Sequence, residues 1–119
     1  MKRFSNSVML GGVEVVNLTP HPVVIYLPDN TQIEIKPEGL VPRVDATDVE
    51  VRRIGGVPIL EKEFGEVKDL PEPCEGVIFI VSSLVAQACR QRRDLVVPAH
   101  PVRDGEGRII GCRGLARIV

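Results

Sequence analysis

Residues 76–98 read GVIFIVSSLVAQACRQRRDLVVP. Gly76 to Val81 carries no charge and is rich in β-branched side chains, which predicts a short strand covered on both faces. Ser82 or Ser83 can then cap a helix, and Leu84, Val85, Ala88 and Cys89 fall on one face of a 3.6-residue repeat. One main helix is therefore expected over about 82–91. Leu95 to Val97 resumes an apolar strand, and Pro98 stops it. Strand, helix and strand in so short a span predict a compact crossover onto one sheet, right-handed in sense.

On either side of this unit the pattern is that of strands. VEVVNL (13–18) reads as a first strand, and VVIYLPDNTQIEIKP (23–37) as a hairpin turning at Asp29-Asn30. Its first arm is apolar on both faces and so belongs in a sheet interior. PEGLVPRV (37–44) reads as a turn into a short extended piece. In TDVEVRRIGGVPILEKEF (47–64), Val49 and Val51 alternate with Glu50 and Arg52, and Gly55-Gly56 supplies a two-residue turn. GEVKDLPEPCEG (65–76), with its prolines, reads as a surface connection. VRDGEGRIIGCRGLARIV (102–119) gives a turn at 104–107 and a closing strand.

The fold class expected is α+β and β-rich: a short-stranded mixed sheet or barrel-like core with one main helix, in a single domain. A chain of 119 residues supports one core. Residues 1–12 are expected to be a loose N-terminal segment. The helix covers only one sheet face, so self-association into a homo-oligomer is expected to cover the other.

Cys74, Cys89 and Cys112 are odd in number and form no CxxC pair, which fits a reducing compartment. MKRFSNSVMLGG lacks the apolar run of a secretory signal, and no stretch approaches the roughly 20 apolar residues of a spanning helix. A cytoplasmic protein with no membrane association is expected. No cofactor or metal is expected, because His21 and His100 belong to no ligand pattern.

Net charge is −1, but unevenly spread. Residues 76–119 hold seven arginines, no lysine, and only Asp94, Asp104 and Glu106 as acids. Arginine grips phosphate or carboxylate through two parallel hydrogen bonds, so this composition suits an anionic ligand with flat groups. The expected ligand-binding residues are Ser82 and Ser83 at the helix start with Arg93, Arg103, Arg108 and Arg113. His21 and Asn17, in NLTPHP (17–22), are expected as lesser contacts. The prolines of that motif make a rigid corner whatever the histidine does. Nucleic acid is not favoured, since rings for bases to stack on are few. No nucleophile elbow or phosphate loop is present, so an enzyme, one using His21, is the weaker alternative. A structural or interaction module whose arginines pair with the acidic first half is the other.

VNLTPHPVVIY (16–26), IVSSLVAQA (80–88), RDLVVP (93–98) and VRDGEGRIIGC (102–112) resemble a family of small proteins of unassigned function found in bacteria and in phage or prophage genomes. The likeness runs from about Val13 to the C-terminus. It implies a small stand-alone domain associated with mobile elements, and carries no catalytic residue over. Phages encode compact oligomers that trap host signalling nucleotides without cleaving them, and an arginine-rich pocket at a subunit boundary suits that task.

Overall fold

The crossover unit is present as expected and lies at the centre of the sheet. The computed structural model describes residues 2–119. Strands β1 (Val8–Leu10), β2 (Val13–Asn17), β3 (Val23–Tyr26) and β4 (Gln32–Ile35) precede a long pair, β5 (Arg43–Ile54) and β6 (Val57–Lys68). Then follow β7 (Val77–Ile80), helix α1 (Ser83–Ala88), β8 (Leu95–Arg103) and β9 (Ile109–Ala116). Seven strands form one mixed sheet in the order β1-β2-β7-β8-β9-β3-β4. β7 is parallel to both β2 and β8, with Phe79 opposite Leu95 and Ile80 opposite Val96.

Alternation along these central strands feeds two cores. Val16, Val77, Phe79, Val81 and Leu95 face α1, packing with Val85, Ala86 and Cys89 of the helix and its end. Val15, Ile80 and Val96 face the other way and meet Val23, Ile25, Ile35 and Cys112 from the far end of the same sheet. They can meet because the sheet curls until β4 returns to β2. The two are stitched by a bridge between Asn17 and Pro37 and by Glu38 N–H donating to the Asn17 carbonyl at 2.9 Å. The result is a nearly closed, barrel-like sheet. Its second face is covered by the sheet itself, so the ground given for self-association does not hold.

Three further expectations change. The helix spans six residues rather than ten, and Leu84 is exposed while Ala86 is buried. It ends early because the chain must return to lay Leu95 beside Phe79. Arg92 fixes that return, giving two 2.8 Å hydrogen bonds to the Asp94 carboxylate and one of 3.0 Å to the Pro71 carbonyl.

Within the segment expected to be loose, β1 pairs with β2, and Phe4 sets its ring edge-on to Phe79 at 5.6 Å. The Glu14 carboxylate, on a residue 2% exposed, accepts from Arg3 N–H, Phe4 N–H and the Ser7 hydroxyl. Met1, part of that expectation, lies outside the described residues.

The third change is the arm. Instead of short strands, β5 and β6 are 12 residues each and reach roughly 40 Å at the strand rise. Gly55 and Gly56, at φ 55 and 85, make the turn. Only the base of this ribbon, at Val44, Val67 and Leu70, packs on the body. The radius of gyration, 16.7 Å, exceeds the roughly 13.5 Å of a compact chain of this length, as a projecting arm requires.

Candidate functional site

NLTPHP is the corner between β2 and β3, and Asn17 is its keystone. Its side-chain NH2 donates to the carbonyls of His21 (2.8 Å) and Ile35 (2.9 Å). Its side-chain oxygen accepts from Thr19 N–H (2.9 Å) and the Thr19 hydroxyl (2.6 Å). The residue is 1% exposed, so its amide is committed to the fold. The His21 ring, by contrast, lies on an exposed residue and forms no hydrogen bond or ion pair among the described residues.

Beyond this corner lies an apolar groove of about 200 Å³, lined by Pro22, Val23, Val24, Pro98 and Ile109–Cys112. It exists because β3 and β9 run parallel but pair only at Ile25 and Cys112. Gly111 permits even that approach: a Cβ there would lie 2.6 Å from the Tyr26 ring and 2.7 Å from the Val24 carbonyl oxygen. A second hollow, about 250 Å³, shares Pro98, Ile109, Gly111 and Cys112 and adds Pro101.

None of the expected ligand-binding side chains lines either hollow. Three adjoin the first in sequence: His21 precedes Pro22, Arg108 precedes Ile109, and Arg113 follows Cys112. Sequence reasoning overlooked the apolar lining, although the exposed pair Ile109-Ile110, beginning a strand just after a turn, was its visible signal.

The arginines divide by partner. Arg92 is committed to Asp94, and this pairing holds the Asp94 carboxyl below its ordinary value despite partial burial. Arg108 reaches Asp104 at 3.0 Å and Glu106 at 3.1 Å. Arg103 donates only to the Gly107 carbonyl, at 2.8 Å. Arg113 donates only to neutral acceptors, the Leu27 carbonyl (3.4 Å) and the Asn30 side chain (3.2 Å). Arg93 is exposed and has no side-chain partner among the described residues. The charges of Arg93, Arg103 and Arg113 thus have no carboxylate partner among the described residues.

The serines do not join them. The Ser82 hydroxyl caps α1 by accepting from Val85 N–H at 3.3 Å, and the Ser83 hydroxyl accepts from Gln87 at 3.0 Å. Arg103 and Arg108 bond within the β8–β9 turn, Arg113 bonds to the β3–β4 turn, and no described hollow links these to the helix start. Cys89 and Cys112 are buried, and burial pushes the Cys112 thiol up. Among the described residues no three His, Cys, Asp or Glu side chains gather for a metal, and no helix is long and apolar enough to cross a membrane.

Comparison of the chain with protein families, curated proteins and solved structures returned no match.

Proposed function

We propose that this chain is a non-catalytic binding protein for a small anionic ligand of the nucleotide class, working as a cytoplasmic homo-oligomer of phage-related origin. The observation that carries the reading is the pairing of an apolar groove with arginines whose charge is uncompensated. Arg113 adjoins the groove through Cys112, and Arg103 stands on the partner strand of Ile109. Apolar walls suit a flat base, and guanidinium groups suit its phosphates. Neutral acceptors already hold Arg103 and Arg113, so binding costs them less side-chain entropy. A second chain is the source of the enclosure that one chain lacks.

The test is a melt with a panel of linear and cyclic nucleotides. A ligand at 100 times its Kd adds about 2.7 kcal/mol, which is easily seen. Arg103→Ala and Arg113→Ala, both at exposed positions, are expected to keep the unliganded melting temperature and lose the shift. Absence of a shift with every nucleotide refutes the reading. It would favour the second one, an interaction module of a mobile element without a small ligand, to which the exposed apolar arm already lends support.

A further inference from the structure

The β3–β4 hairpin is firm within itself and thinly joined to everything else. Its two strands pair along their whole length, from Val23 with Ile35 to Tyr26 with Gln32. On one side β3 meets β9 only at Ile25 and Cys112. On the other, the chain after β4 meets β2 through the single bridge between Asn17 and Pro37. The chain enters this hairpin through the proline corner and leaves it at Gly39 (φ 100), so each end offers a pivot. Between the two seams its inner side chains, Val23, Ile25 and Ile35, cover the inner core.

Side chains fasten the hairpin at its two ends. At its turn, Arg113 of β9 donates to the Leu27 carbonyl and the Asn30 side chain. At its base, the N-terminal segment straps it down. The Asn6 side chain donates to the Pro37 carbonyl at 2.8 Å, and Ser5 N–H and Asn6 N–H donate to the Glu38 carboxylate at 3.0 and 2.9 Å. That strap is anchored in turn on Glu14 of β2. We infer that the β3–β4 hairpin is a flap over the inner core, latched at its turn by Arg113 and at its base by the N-terminal strap, and that it lifts from β9 and β2 as one unit.

The apolar groove is the visible edge of the space this flap covers. Pro22, Val23 and Val24 line it from the flap, and Pro98 with Ile109–Cys112 from the body. Val23 and Cys112 belong both to that lining and to the inner core. At about 200 Å³ the closed groove is smaller than the roughly 300–1,000 Å³ of a small-molecule site. Lifting the flap joins the groove to the inner core and supplies the difference. Burial of Val23, Ile25 and Ile35 keeps the closed form dominant, and the open one is a minor state below global unfolding. The flap stands on the geometry of the unliganded chain and takes nothing from the ligand proposed above.

The experiment is amide exchange and thiol alkylation on the full chain without ligand, so its outcome is separate from that of the melt. Each latch is loosened at one end of the flap and read elsewhere on it; both altered positions are exposed. Arg113→Ala, at the turn, is expected to speed exchange of the Glu38 N–H, which donates to the Asn17 carbonyl at the base, roughly 5-fold or more. Asn6→Ala, in the strap, is expected to speed alkylation of Cys112, beneath the β3–β9 seam, by a similar factor. Cys89, in the helix-side core, should keep its rate. So should the Leu27 N–H in Asn6→Ala, because its bond to the Thr31 carbonyl lies within the flap and moves with it. An effect confined to the altered end in either variant overturns the inference. Equal acceleration at Cys89 does so too, as general loosening, and equal acceleration at Leu27, as a hairpin that unravels instead of lifting.

Discussion

Arg92 and Asp94 face each other across one intervening residue and share two hydrogen bonds of 2.8 Å, with both side chains only 16% exposed. With its third bond, to the Pro71 carbonyl, Arg92 ties the end of the helix to the chain leaving the arm. Arg92→Ala would strand a half-buried carboxylate and a carbonyl, and is expected to cost about 2–3 kcal/mol in denaturant unfolding. The pH dependence has a definite sign. The folded Asp94 carboxyl lies below its ordinary value because Arg92 donates to it. Its stabilisation is therefore complete above about pH 4, the unfolded value, and is lost as pH falls through the folded one. Asp94→Asn should lower stability at pH 7 and flatten that acid limb.

Glu14 makes a parallel case at the N-terminus. Burial works to raise its carboxyl, but donation from Ser7, Arg3 and Phe4 outweighs it and leaves the group below the ordinary carboxylate value. Glu14→Gln places an NH2 among donors and is expected to destabilise by about 2 kcal/mol. Hydrogen exchange should accelerate at Arg3 and Phe4, whose amide protons are left with one uncharged carbonyl oxygen in place of a carboxylate. Unchanged protection there would show that the Phe4 ring on Phe79 suffices to hold the segment.

Gly111 is required by space rather than by backbone angle. The nearest obstacles to a Cβ are the Tyr26 ring and the fixed Val24 carbonyl, both well inside contact distance. Gly111→Ala should push β3 from β9 at their single point of pairing and cost about 1–3 kcal/mol. Its signature should be local: faster amide exchange in β3 and β4, with β7 and β8 little affected.

The parts of the fold legible in the sequence were those whose partners are near in the chain. Val77 to Ile80 announced burial on both faces, and both cores now account for it. Gly55-Gly56 announced its turn. The sequence did not decide between an open mixed sheet and a barrel-like core, because closure draws on Asn17 bonding to Ile35, a long-range bond from a residue whose type suggested only a local turn. The length of the arm was hidden by irregularities between Val44 and Ala46 and between Glu50 and Arg52, which break the period-two alternation. For the candidate site, the arginine bias was visible, but not which arginines were already engaged. Asp94, Asp104 and Glu106 settle that for Arg92 and Arg108 by geometry alone.

The cysteines offer a test of the two cores that needs no mutation. All three are free; Cys74 is partly exposed in the connection after the arm, whereas Cys89 closes the helix-side core and Cys112 the inner one. Alkylation requires the thiolate at the surface, and burial of Cys112 both hides the sulfur and raises its pKa. Under native conditions Cys74 should label within minutes, with Cys89 and Cys112 about 10³-fold slower, limited by opening of the structure. Because the two cores lie on opposite faces of β7, a denaturant that opens only the β3–β9 seam should release Cys112 before Cys89. Peptide mass spectrometry of partially labelled protein reads that order directly. Simultaneous labelling of both would mean that the curl and the helix-covered face unfold as one unit.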